Sequence, residues 1–180
     1  MKIEKLQLQG LLVIQPELHR DERGYFTEIF RKEWFRLYNA DIDFVQDNES
    51  CSAKGVLRGL HYQDPPWAQG KLVRVVRGFA RDVAVDIRTG SPTFGKWVAF
   101  DLRDDELKMI YIPPGFAHGF LSLKENTLLQ YKCTAYYNKK ADRSIRWSDP
   151  DLNIHWGFEN PVLSDKDRNA PFLRYTDLKF

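Results

Sequence analysis

Between residues 71 and 134 the chain falls into short runs of alternating apolar and polar residues, broken by Gly, Pro and Asp clusters. Alternation places successive side chains on opposite faces of a strand, so each run predicts a strand with one buried face. Residues 71–76 are valine-rich and stop at Arg77-Gly78. In 80–87, Val83, Val85 and Ile87 share a face. Further strands are predicted at 96–102 and at 109–112, which ends in Pro113-Pro114-Gly115. Residues 119–123 and 127–134 read as a hairpin around Lys124-Glu125-Asn126. Earlier, 6–14 reads as an opening strand with no obvious hairpin partner nearby, and 19–24 as a charged turn. Residues 25–31 follow as a strand carrying Phe26, Glu28 and Phe30 on one face. A short helix over 32–38 would carry Trp34, Phe35 and Leu37, and 44–50 begins apolar and turns polar.

Many short strands with Gly and Pro at the joints predict an all-β barrel or jelly roll. Residues 135–180 lack this regularity and are expected to wrap the barrel through short helices or turns. No linker or repeat interrupts the 180 residues, so the expectation is one domain over 1–180. A net charge of +2 gives no reason to expect nucleic acid or a membrane surface as partner. No secretory leader pattern or membrane-length apolar run stands out, and Cys51 and Cys133 form no CxxC pair. Reduced thiols and a cytoplasmic location are the expectation.

The densest candidate chemistry lies in Gly55-Val56-Leu57-Arg58-Gly59-Leu60-His61-Tyr62-Gln63. A regular strand would put Leu57, Gly59, His61 and Gln63 on one face and Arg58 on the other. A bulge at Gly59 would turn Arg58 back toward the same cavity. His61 is then either a buried histidine with ordinary hydrogen bonds or a base beside an anion. Pro113-Pro114-Gly115-Phe116-Ala117-His118 resembles the second cupin motif, but Gln63 stands where the first would bring a second histidine. His61 and His118 alone are too few for a transition-metal site. The expected architecture is a cupin-like jelly-roll β-barrel with no metal and no cofactor.

The stretches Arg23-Gly24-Tyr25-Phe26-Thr27-Glu28, Gln46-Asp47-Asn48-Glu49-Ser50, Arg58 to Gln63, Lys71-Leu72-Val73-Arg74, Asp86-Ile87-Arg88, Ser91-Pro92-Thr93-Phe94-Gly95, Pro113 to Phe120 and Leu163-Ser164-Asp165-Lys166-Asp167 together resemble the dTDP-4-dehydrorhamnose 3,5-epimerase family. They occur in family order over nearly the whole chain. The resemblance implies a dTDP-4-keto-6-deoxyhexose substrate whose C3 and C5 protons flank a C4 ketone. It implies His61 as base, Asp167 as its partner, Tyr131 as acid and Lys71 as the charge that neutralises the enolate oxygen. Arg23 and Arg58 match diphosphate contacts, and Phe26, Glu28, Gln46, Asn48 and His118 match further binding positions. Tyr137 matches the aromatic that stacks on thymine, and Asp142 and Lys166 match two more ligand positions. The resemblance also implies a homodimer in which residues 23–28 complete the partner's site.

Read alone, several of these residues have plainer alternatives. Asp167 sits in an Asp-Lys-Asp run typical of a surface, Tyr131 suits core packing, and Lys71 suits an edge strand. A relative acting only at C3 or only at C5 shares the same residue set. A non-catalytic sugar-nucleotide-binding cupin and a metal-dependent cupin oxygenase are the rivals from other classes.

Overall fold

The computed structural model describes residues 1–36 and 42–180. Its strands are, in order, β1 (Lys2–Lys5), β2 (Leu12–Gln15), β3 (Leu18–Asp21), β4 (Gly24–Thr27), β5 (Gln46–Ser52), β6 (Leu57–Gln63), β7 (Lys71–Arg77), β8 (Phe79–Asp86), β9 (Trp97–Arg103), β10 (Met109–Ile112), β11 (Phe116–Ser122), β12 (Thr127–Cys133) and β13 (Asp142–Ser144). Two short helices, α1 (Glu33–Arg36) and α2 (Asp165–Arg168), flank them. One sheet runs β1-β2-β10-β7-β12-β5 and the other β13-β6-β11-β8-β9, while β3 and β4 pair separately. This is the expected cupin-like jelly roll.

Alternation explains the layering. Between the sheets pack Val73, Val75, Ile110, Ile112 and Leu129 from the first, against Ala80, Ala84, Phe116 and Phe120 from the second. The outer face of the second sheet, with Val83, Val85 and Ile87 together as predicted, is covered by Ile145, Leu152, Trp156 and Leu173 of the C-terminal tail. On the outer face of the first sheet, Leu72, Met109 and Tyr111 lie beneath Trp34, Phe35 and Ile42. The central strands are therefore covered on both sides, with β10 and β11 buried along their whole length.

Several element boundaries differ from the sequence reading. The run 6–14 is not one strand: β1 and β2 form a hairpin, turning through Gly10 at φ 100°. A glycine accepts that left-handed conformation without Cβ strain, and the run of leucines around it had masked the turn. The opening strand therefore has its partner close by. Strand 25–31 shortens to β4, which pairs with β3 inside the expected charged turn. The strand expected at 44–50 spans Gln46–Ser52, and the expected helix is only α1, with Leu37 and Tyr38 outside the described residues. The 119–134 segment is not a hairpin, because β11 and β12 lie in opposite sheets. Lys124-Glu125-Asn126 turns the chain from one wall of the sandwich to the other.

Candidate active site

β6 forms one wall of the site, and its irregularity decides which side chains reach it. Its register against β11 passes from His118↔His61 to Phe120↔Arg58, so β6 holds one extra residue between His61 and Arg58. Leu57, Leu60 and Tyr62 then pack under the C-terminal tail, while Arg58 and His61 both line the cavity. The expected bulge is present. Leu57 is buried in that cluster rather than sharing His61's side, because the extra residue reverses the alternation. The sheet is so tight here that a Cβ on Gly59 (φ 135°) would lie 2.5 Å from Gly119 Cα and 3.0 Å from the His118 carbonyl oxygen. Only glycine fits.

His61 Nε2 lies 2.5 Å from Asp167 Oδ1, across 106 positions of sequence. Asp167 is 2% exposed while Asp165 and Lys166, its neighbours on α2, face solvent. The surface reading of the Asp-Lys-Asp run holds for those two and fails for Asp167. Burial opposes ionisation of the Asp167 carboxyl, but the hydrogen bond and charge of His61, the Ser164 hydroxyl and nearby Lys166 outweigh it, so its pKa lies below the ordinary value. An ionised carboxylate accepts only from an N–H, so the neutral His61 ring carries its proton on Nε2 and keeps its lone pair on Nδ1.

The opposite wall comes from the first sheet. Lys71 opens β7, which lies between β10 and β12, so it is not an edge lysine. Its ammonium stands 5.8 Å from the centre of the Tyr131 ring. Burial lowers the Lys71 pKa and raises that of the Tyr131 phenol, each by disfavouring the charged form. Along β5, Gln46 and Asn48 line the site while Asp47 and Glu49 alternate with them. Gln46 Nε2 donates to Asn48 Oδ1 at 3.0 Å, and the Tyr137 amide donates to Gln46 Oε1 at 2.9 Å. Beyond it, Tyr137 and Lys166 both donate to Asp142 Oδ2, at 3.3 and 2.5 Å. Arg58 Nε donates to Ser52 Oγ at 3.2 Å. His118 is buried at the base, its Nε2 2.8 Å from Asp82 Oδ2.

These residues surround one two-lobed trench. A lobe of about 520 Å3 is lined by Arg58, His118 and Asp167, and one of about 320 Å3 by Gln46, Tyr137, Asp142 and Lys166. His61, Lys71, Tyr131 and Asn48 line both. A basic imidazole on one sheet thus faces a phenol and an ammonium on the other. That arrangement can remove a proton from one side of a bound carbon, return one from the other, and offset negative charge between them. Among the described residues, no group of three or more His, Cys, Asp or Glu side chains is placed to hold a metal ion. None of the helices there is long and apolar enough to cross a membrane.

Three of the expected binding residues stand elsewhere. Arg23 is bound to Asp21 at 2.5 Å and Glu28 to Arg31 at 2.6 Å, while Phe26 is 71% exposed on β4. None of the three lines the trench of its own chain. Two participants were missed from sequence. Asp82 betrays itself only as a charge at an inward position of β8, between Ala80 and Ala84. Ser164 is visible only as the N-cap of a four-residue helix.

The family model described as dTDP-4-dehydrorhamnose 3,5-epimerase matches residues 5–175. A relative of that name from Sinorhizobium fredii is 49% identical over 175 residues, 96% of this chain and 90% of the relative. The crystal structure of dTDP-6-deoxy-D-glucose-3,5-epimerase from Legionella pneumophila, in complex with dTDP-4-keto-L-rhamnose, is similar with a TM-score of 0.93 and 47% identity, covering 98% of this chain and 94% of that one. A 3'-monoepimerase from Streptomyces bikiniensis in complex with dTDP-quinovose is also similar, with a TM-score of 0.89 and 38% identity over 94% of this chain and 86% of that one.

Proposed function

The chain belongs to the dTDP-4-dehydrorhamnose 3,5-epimerase family, and from that premise we propose how its residues divide the work. It is an isomerase that converts dTDP-4-dehydro-6-deoxy-D-glucose to dTDP-4-dehydro-L-rhamnose. In our reading His61 takes the proton at each of C3 and C5, both acidified by the C4 ketone between them. The electron pair left on carbon moves onto the ketone oxygen as an enolate, which Lys71 neutralises. Tyr131 delivers a proton to the opposite face of the same carbon, inverting it. Asp167 holds the imidazole in its Nε2–H tautomer and stabilises the imidazolium that forms.

The observation that carries this reading is the facing of His61–Asp167 on one wall by Tyr131 and Lys71 on the other. Arg58 and His118 serve the diphosphate and sugar, and Gln46, Asn48, Tyr137, Asp142 and Lys166 the nucleotide. The free Cys51 and Cys133 support a cytoplasmic setting. A homodimer is part of the same proposal. The exposed β3–β4 hairpin of a second copy would bring Arg23, Phe26 and Glu28 to the trench, which explains why they face away from their own.

Incubation with dTDP-4-dehydro-6-deoxy-D-glucose in D2O, followed by NMR, tests the activity. Deuterium at both C3 and C5 is expected. Exchange confined to C3 would instead align the chain with monoepimerases such as the Streptomyces bikiniensis enzyme.

A further inference from the structure

Asp167 uses both carboxylate oxygens. Oδ1 meets His61 Nε2 at 2.5 Å, and Oδ2 accepts a hydrogen bond from Ser164 Oγ at 2.8 Å. The same hydroxyl oxygen accepts from the Asp167 amide at 3.1 Å, so Ser164 both caps α2 and grips the side chain three residues on. The segment leading to it is tied to the histidine's own strand. Val162 donates to the Gly55 carbonyl at 2.8 Å and accepts from the Leu57 amide at 3.0 Å, forming a parallel bridge to Val56. The supports of Ser164 and of His61 are therefore one piece of structure.

A carboxylate held by a single hydrogen bond can still rotate about its Cβ–Cγ bond and swing its oxygen away from the imidazole. A second bond to the other oxygen fixes the plane. We propose that Ser164 is a positioning residue for proton transfer, its hydroxyl holding the Asp167 carboxylate in the one orientation that keeps Oδ1 on His61 Nε2. The proposal rests on the reading of His61 as the base. Ser164 is exposed and lines the larger lobe of the trench, so a change there removes little packing, and a lost substrate contact would show in KM while a lost grip on Asp167 shows in kcat.

The test compares kcat, KM and deuterium exchange in Ser164→Gly, Ser164→Asp and Ser164→Thr, beside His61→Ala and Asp167→Asn. Glycine and aspartate both serve as N-caps but cannot donate to Oδ2, whereas threonine keeps the hydroxyl. Ser164→Gly and Ser164→Asp should lose about tenfold to a hundredfold in kcat, a range typical when an outer hydrogen bond to an oriented ligand is removed. KM should change little, and Ser164→Thr should recover most of the rate. Wild-type kcat in folded Ser164→Gly or Ser164→Asp beside an inactive His61→Ala would overturn this proposal alone, as would a loss confined to KM or no rescue by threonine. A His61→Ala enzyme that still exchanges protons would remove the base assignment and this proposal with it.

Discussion

Two histidines side by side on the second sheet are each paired with an aspartate, and the pairs differ in almost everything except their partners' chemistry. His61 and His118 are opposite one another in the β6–β11 ladder, and each presents Nε2 to a carboxylate, at 2.5 and 2.8 Å. His61 keeps 31% of its side chain exposed to the trench, and its aspartate arrives from the C-terminal tail. His118 keeps 7%, and Asp82 comes from the adjacent strand β8 with no exposure at all. Burial lowers the His118 pKa, with the charges of Lys71 and His61 adding to the effect and Asp82 opposing it. A histidine–carboxylate pair is therefore not a base by composition. The degree of exposure to the trench separates the first pair from the second.

The sharpest way to break this contrast is His61→Ala. Loss of a general base costs about 10²–10⁴ in rate, more when no other group takes over. Turnover and C–H exchange should both vanish in D2O while calorimetric dTDP binding persists. Residual exchange near wild type would end the assignment of the exposed pair as the proton-transferring one.

Next in size is the pair of aspartate variants. Asp167→Asn should lower kcat by roughly 10²–10⁴, since an amide can present its carbonyl or its NH2 and so no longer fixes the tautomer. Asp82→Asn should show its main effect in denaturant unfolding, on the order of 1–3 kcal/mol for a hydrogen bond to a buried charge, with a smaller loss of kcat. Equal kinetic losses from the two would mean that the buried pair carries as much of the chemistry as the exposed one.

The two pairs were also unequally legible in the sequence. The wall strands were readable wherever one face is apolar and the other is not: β10 matches its predicted bounds, and Val83, Val85 and Ile87 share their face. His61 and Lys71 stood out as polar side chains in such strands. Asp167 did not, because Asp165 and Lys166 disguise it and only the fold carries it 106 positions back to His61. The β11–β12 connection shows the same limit, since Lys124-Glu125-Asn126 signals a turn but not which sheet receives the next strand. Arg58 needed the register shift at Gly59 before its direction could be assigned, and sequence supplied only the glycine. Local patterning encodes the walls; long-range packing decides what faces across them.

The smallest expected effect lies in the pH dependence of stability, and it separates the pairs without any substrate. His118 has a folded-state pKa below its ordinary 6.5, so on acidification the unfolded chain takes up this proton first. Its contribution is complete above about pH 6.5 and declines as pH falls toward the depressed folded value, at a slope of at most one proton, about 1.4 kcal/mol per pH unit. Asp167 is also depressed, but from 3.8, so its contribution stays intact until the pH falls below that value. Between pH 6.5 and 4.5 the buried pair should therefore lose stability while Asp167 does not yet titrate. Urea unfolding across that range should show a decline in the wild type that flattens in His118→Asn and persists in Asp167→Asn. A decline that disappears in Asp167→Asn but survives in His118→Asn would assign the acid sensitivity to the exposed pair instead.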